Sequence, residues 1–131
     1  MNHTRILLVD DDPDDQFIFA DTLDEIAKNV ECVTANNGVE AIAYLNTANP
    51  IPSLIFLDLN MPIMSGHEFL KCQQQQAKAI ANIPVIVMTA VPGAQVDGVA
   101  GLLRKPMEIG QIITIMNSIR YRPNEASFSR P

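Results

Sequence analysis

The sequence of 131 residues predicts an α/β protein, a parallel sheet sandwiched between helices, on three observations. Short apolar runs at 6–9, 54–57 and 85–88, made of Ile, Val, Leu, Phe and Met, show no polar alternation, as expected of strands buried on both faces. The stretches between them carry apolar residues at helical spacing, and strand–helix alternation closes as right-handed crossovers. Each run, with a fourth at Leu102–Leu103, leads to a chemically useful residue at or near its carboxyl end: Asp10 and Asp11, Asp58, Thr89, and Lys105.

Taken in order, Ile6–Val9 is the first strand. Asp12-Pro13 has the pattern of an N-cap followed by proline at the first helical position, so a helix is predicted from about Pro13 to Lys28. Phe17, Ala20, Leu23, Ile26 and Ala27 supply its apolar spacing. Glu31–Ala35 follows as a second strand, Asn36-Asn37-Gly38 as a turn, and Val39–Leu45 as a second helix with Ala41, Ile42 and Leu45 inward. Pro50 and Pro52 break the chain before the strand at Leu54–Leu57. After a loop at Pro62–Gly66, one helix is predicted from near His67 to just before Pro84, with Phe69, Leu70, Ala77 and Ile80 facing the core. Its Gln73–Gln76 tract reads as a solvated face. Ile109, Ile112, Ile113, Met116 and Ile119 mark the stripe of the last helix.

An apolar fraction of 47% in a chain of this length suits one domain. The apolar runs fall far short of a membrane span, and the N-terminus enters a strand-like run too soon for a signal peptide, so a cytoplasmic protein without membrane contact is expected. Cys32 and Cys72 are too far apart for a metal or dithiol motif and read as two buried thiols. The net charge of −6, concentrated in Asp10, Asp11, Asp12, Asp14 and Asp15, argues against a nucleic-acid surface.

In a parallel sheet the working crevice lies beyond the carboxyl ends of the strands. Asp10, Asp11 and Asp58 would repel one another there unless a cation neutralised them, and oxygen donors of this kind select a hard ion such as Mg²⁺. Asp58 also has the character of a nucleophile: a carboxylate can hold a phosphoryl group as a mixed anhydride when positive charge meets the phosphoryl oxygens. Lys105 can supply that charge, and Pro106 restricts it to extended conformations that aim its side chain. Thr89 can donate a hydrogen bond to a phosphoryl oxygen, with Ala90 leaving room for the shift. Neither His3 nor His67 is needed for this chemistry.

The segments Ile6-Leu-Leu-Val-Asp-Asp-Asp-Pro13, Leu57-Asp-Leu-Asn-Met-Pro62 followed by Gly66, Val85-Ile-Val-Met-Thr-Ala90, and Lys105-Pro106 together resemble the receiver domain of two-component response regulators. The resemblance covers about residues 5 to 120. It implies a doubly wound, flavodoxin-like sheet of five parallel strands in the order 2-1-3-4-5, a receiver unit over 1–122 and a flexible tail over 123–131. By the same resemblance Asp58 is the phosphoacceptor and, with Asp11, a direct ligand of Mg²⁺. Asp10 assists through water and Asn60 adds a backbone carbonyl. Lys105 pairs with the phosphoryl oxygens, and Thr89 is the switch hydroxyl. The implied partners are a sensor histidine kinase or histidine phosphotransfer protein and a downstream protein target. The implied role is a bacterial signalling phosphoacceptor that catalyses its own phosphotransfer and autodephosphorylation and is not otherwise an enzyme. With no output domain after residue 120, its signal is expected to pass by protein binding or onward phosphotransfer.

Two departures qualify the likeness. Receivers usually carry an aromatic residue three positions before the lysine, and here that position is Leu102. Thr89 and Lys105 are only 16 positions apart, and Val91–Gly98 contains one proline and two glycines, so a shortened or missing fourth helix is predicted, with an altered output surface. A phosphate-independent scaffold of the same fold is the alternative. A phosphatase acting on outside substrates is disfavoured because Asn60 stands where such enzymes often place an acid.

Overall fold

Strands β1 (Thr4–Val9), β2 (Val30–Ala35), β3 (Leu54–Asp58), β4 (Val85–Thr89) and β5 (Gly101–Arg104) form one parallel sheet in the order β2-β1-β3-β4-β5, as predicted. The structure, a computed structural model, describes residues 4–26, 29–105 and 109–118. Helices α1 (Pro13–Ile26) and α5 (Ile109–Ser118) belong to one face of the sheet, and α2 (Gly38–Thr47), α3 (Gly66–Gln74) and the short α4 (Lys78–Ala81) to the other.

Strand alternation explains why the apolar runs are continuous. Ile6, Leu8, Leu54, Phe56, Ile86 and Met88 face the α1/α5 layer, while Leu7, Val9, Ile55, Leu57, Val85 and Val87 face the α2/α3/α4 layer. With both faces covered, neither set meets water.

The pairing register lines up the carboxyl ends. Val9 pairs with Leu57, which brings Asp10 beside Asp58; Asp58 pairs with Met88, one residue before Thr89; and Thr89 pairs with Arg104, one residue before Lys105. The sequence reaches the same edge of the sheet at each of these positions.

Several expectations need correction. Phe17 does not face the core: it is 72% exposed, and Phe19 is buried instead, with its ring edge against Phe56 at a centroid distance of 4.7 Å. Phe19, Leu23 and Ile26 define the inward stripe of α1, and Phe17 stands about 200° around the helix from Phe19. The ends expected at Ala27 and Lys28 lie outside the described residues.

The single helix expected between His67 and Pro84 is two helices. α3 stops at Gln74, and Gln75 caps it with its backbone N–H on the carbonyls of Cys72 and Gln73. The glutamine tract is not a uniformly solvated face either. Gln73 is 1% exposed, and its amide donates to the carbonyls of Ile80 at 3.0 Å and Ile83 at 3.1 Å, at the carboxyl end of α4. Gln74 donates to Ala81 at 3.2 Å and Gln76 to Cys72 at 3.0 Å. Carbonyls left open by the break are thus satisfied by side-chain amides. Ala77, at the N-cap of α4, is exposed rather than inward, and Leu70 is half-buried.

Cys32 and Cys72 are free and half-buried, not fully buried. Burial, with the Glu31 charge nearby, pushes the Cys32 thiol up to about 12.

Between β4 and β5, residues 90–100 contain no helix, in keeping with the missing element. Gly93 and Gly98 take φ of 74° and 78°, a region that glycine enters without steric cost. Val96, Val99 and Leu102 pack against the edge of the core there. On α5, Ile112 and Met116 are buried and Ile113 is half-buried. Ile119 and the tail expected at 123–131 lie outside the described residues, as does Pro106.

Candidate functional site at the carboxyl edge of the sheet

Asp10 still belongs to the sheet through its backbone N–H, which donates to Ala35 at 3.1 Å. Its Oδ1 accepts from the Asp12 N–H at 3.0 Å, folding the chain into a tight turn. Asp12 then caps α1 by accepting from the Asp14 N–H at 2.9 Å, as the Asp-Pro pattern predicts. The turn leaves Asp10 buried and Asp11 exposed at the mouth of the crevice.

Asp58 ends β3, buried, with its Oδ1 accepting from the Asn60 N–H at 3.0 Å. One carboxylate oxygen from each of Asp10, Asp11 and Asp58 falls within 4.8 Å of the others. Gly66 lets the following loop close in, because a Cβ there would lie 2.7 Å from the Leu59 Cα and 3.0 Å from the Asp58 carbonyl oxygen.

Lys105 joins the group from β5. Its backbone N–H donates to the Thr89 carbonyl at 2.8 Å, and its Nζ lies 3.2 Å from Asp10 Oδ2, 3.2 Å from Asp15 Oδ2 and 3.3 Å from Asp58 Oδ2. Burial works against the ammonium charge, but the Asp58 and Asp10 carboxylates and the hydrogen bonds to Asp15 and Asp10 outweigh it and hold the Lys105 pKa above the ordinary value. Asp10 is pushed the other way for an acid. Burial, helped by the Asp58 charge, raises its pKa in spite of the Asp12 hydrogen bond and Lys105.

Thr89 is buried at the end of β4, and its Oγ1 accepts from the Val91 N–H at 3.0 Å. That bond occupies a lone pair and leaves the hydroxyl hydrogen as the donor this residue offers. The structure therefore brings Asp10, Asp11, Asp58 and Lys105 into one cluster, with Thr89 at the neighbouring strand end and the Asn60 backbone tied to Asp58.

Two residues of the site escaped the sequence. Asp15, in the first turn of α1, is the third carboxylate on Lys105. Gln16 donates through Nε2 to the Asp10 carbonyl at 2.6 Å and to Asn36 Oδ1 at 2.8 Å, tying the β1–α1 turn to the end of β2. The helical pattern placed both on α1 without showing which side chains turn back to the strand ends.

Residues 6–117 match the family described as the response regulator receiver domain, and the chain belongs to that family. Response regulator Rcp1 of Synechocystis sp. is 34% identical over 89 residues, covering 64% of this chain and 60% of that protein. Sensor histidine kinase TmoS of Ectopseudomonas mendocina is 32% identical over 88 residues, covering 67% of this chain but 8% of the kinase. The chain thus spans less than two thirds of the length of either relative. Among solved structures, chemotaxis response regulator CheY4 of Vibrio cholerae superposes with a TM-score of 0.78 at 26% identity, covering 90% of this chain and 99% of that one. The protein is a receiver domain of two-component signalling. Among the described residues no helix is long and apolar enough to cross a membrane.

Proposed function

We propose that this receiver accepts a phosphoryl group on Asp58 from a histidine kinase or histidine phosphotransfer protein and signals through phosphorylation-controlled protein binding. The observation that carries this reading is the contact of Lys105 Nζ, 3.3 Å from Asp58 Oδ2, within a cluster of carboxylates at the sheet edge. An Asp58 oxygen attacks phosphorus, and the bond from phosphorus to the donor breaks with its electron pair leaving on the donor. Lys105 stands ready for the charge on the phosphoryl oxygens, and Thr89 offers its hydroxyl hydrogen to one of them.

The three-carboxylate set suits Mg²⁺, since its donors are hard oxygens close enough to share one small cation. Asp11 and Asp58 would hold the ion, Asp10 would assist through water, and Asn60 would add its backbone carbonyl. When bound, the ion supplies positive charge against the carboxylates and the phosphoryl oxygens.

The response then has to travel without the usual aromatic partner. Leu102 is half-buried and, like Val96 and Val99, packs against the core layer on the α2/α3/α4 side, so a shift of Thr89 would be felt through Val91 and the helix-free segment that follows. That segment is where a downstream protein target would sense the change.

Incubation with Mg²⁺ and acetyl phosphate, followed by intact mass, tests the chemistry. A metal-dependent phosphoryl adduct is expected on the natural chain and none on Asp58→Ala. Failure of the natural chain to take up phosphate would favour a phosphate-independent scaffold.

A further inference from the structure

Lys105 is held by more carboxylates than the phosphoacceptor reading uses. An ammonium has three N–H donors, and Asp10, Asp15 and Asp58 stand at 3.2, 3.2 and 3.3 Å from its Nζ, enough to engage all three. A phosphoryl group arriving at Asp58 brings further negative oxygens into the same space. Lys105 can meet them only by releasing a partner it already has.

The partners differ in how easily they let go. The Asp10 side chain is 2% exposed and is fixed by the Asp12 N–H. The Asp15 side chain is 45% exposed, so water can replace the ammonium there at small cost. Asp15 and Lys105 also line a cleft of about 380 Å³ with Ile18, Met88 and Ala90, which gives the lysine side chain room to swing.

We propose that Asp15 is a positioning residue that holds Lys105 toward α1 and away from an incoming phosphoryl group, and so limits the rate at which Asp58 is phosphorylated. This role rests on Asp58 being the acceptor. Asp15 acts twice in the same direction: it competes for the ammonium, and its own charge opposes an anionic donor. The phosphoryl transfer itself is unchanged, with Asp58 forming the new bond and the donor keeping the electron pair of the broken one. As the phosphoryl group settles, Lys105 moves from Asp15 to a phosphoryl oxygen, and the carboxylate at the start of α1 is released to solvent.

The test compares the full chain with Asp15→Asn and Asp15→Glu, using acetyl phosphate at fixed Mg²⁺ and following adduct formation by mass. Removing one nearby charge should speed phosphorylation by about fivefold at low salt. The gain should shrink as ionic strength rises from about 0.01 M to about 1 M, where the screening length falls from about 30 Å to about 3 Å. Asp15→Glu, which keeps the charge, should restore the slow rate.

A second readout needs neither metal nor phosphate: at one fixed pH in the metal-free protein the Lys105 side-chain NMR resonances should shift in Asp15→Asn and return in Asp15→Glu, as the 3.2 Å contact requires. Equal rates, a salt-independent difference, or unmoved Lys105 resonances would each overturn the role of Asp15. Absence of any adduct on the natural chain would instead remove the acceptor at Asp58, and the Asp15 role with it.

Discussion

Asp10 sits in an electrostatic position that disfavours its own charge. Its pKa is raised in the fold, so the charged form is less comfortable there than in the unfolded chain, and at neutral pH it subtracts from stability. The penalty fades as pH falls through the folded value. Asp10→Asn should therefore raise the Tm of the metal-free protein by a few degrees, measured by calorimetry at pH 7. If the proposed Mg²⁺ site forms, the same variant should show a smaller Tm rise on adding Mg²⁺ than the natural chain. A lower metal-free Tm would mean that the pairing with Lys105 outweighs burial. Lys105 has the opposite linkage: its contribution is fully present below its unfolded pKa and is lost as pH rises through the higher folded value.

At this scale much of the site could be read from the sequence. Asp10, Asp11, Asp58, Thr89 and Lys105 each follow an apolar run, and strand ends of a parallel sheet meet on one edge. Asp15 could not be read in this way. Among five aspartates in six positions it looks like part of a solvated helix start, and its turn toward a lysine 90 positions away depends on how α1 docks.

Among the elements, the break between α3 and α4 is decided by tertiary hydrogen bonds. Glutamine is a good helix former, so Gln73–Gln76 gave no sign of a stop. The stop comes from Gln73 turning inward to the Ile80 and Ile83 carbonyls. Gln73→Ala should leave both carbonyls buried without that donor and cost about 2 kcal/mol in a denaturant titration. A loss below about 0.5 kcal/mol would show that another group takes over the bonds.

The choice between Phe17 and Phe19 was hidden for a related reason. Both are aromatic and lie two positions apart, and only the Phe56 ring across the core selects one. The helix-free link from β4 to β5 was legible because proline and glycines speak through local geometry, which needs no partner.

For the whole molecule, the sheet order β2-β1-β3-β4-β5 is what makes the site. It puts β1 and β3 side by side so that Asp10 meets Asp58, then carries Thr89 and Lys105 to the same edge on β4 and β5. Alternation of strands and helices foresaw a parallel sheet between helix layers with right-handed crossovers, while the strand order itself was legible only through the resemblance to receiver domains. The chain belongs to the receiver family, and the helix-free link with Leu102 is where the proposed readout would depart from the family's usual one.

A two-state switch from 1:99 to 99:1 requires about 5.5 kcal/mol of differential stabilisation. In the proposed switch the groups that would contribute are Lys105, Thr89 and the 90–100 segment.

The central claim is that Asp58 carries the phosphoryl group. Borohydride reduces an aspartyl phosphate to homoserine, so treatment of the phosphorylated protein with borohydride followed by peptide sequencing by mass spectrometry locates the acceptor directly. Homoserine at position 58, dependent on both Mg²⁺ and acetyl phosphate, is the expected result. Unmodified Asp58 with homoserine at another aspartate, or no homoserine at all, would contradict it.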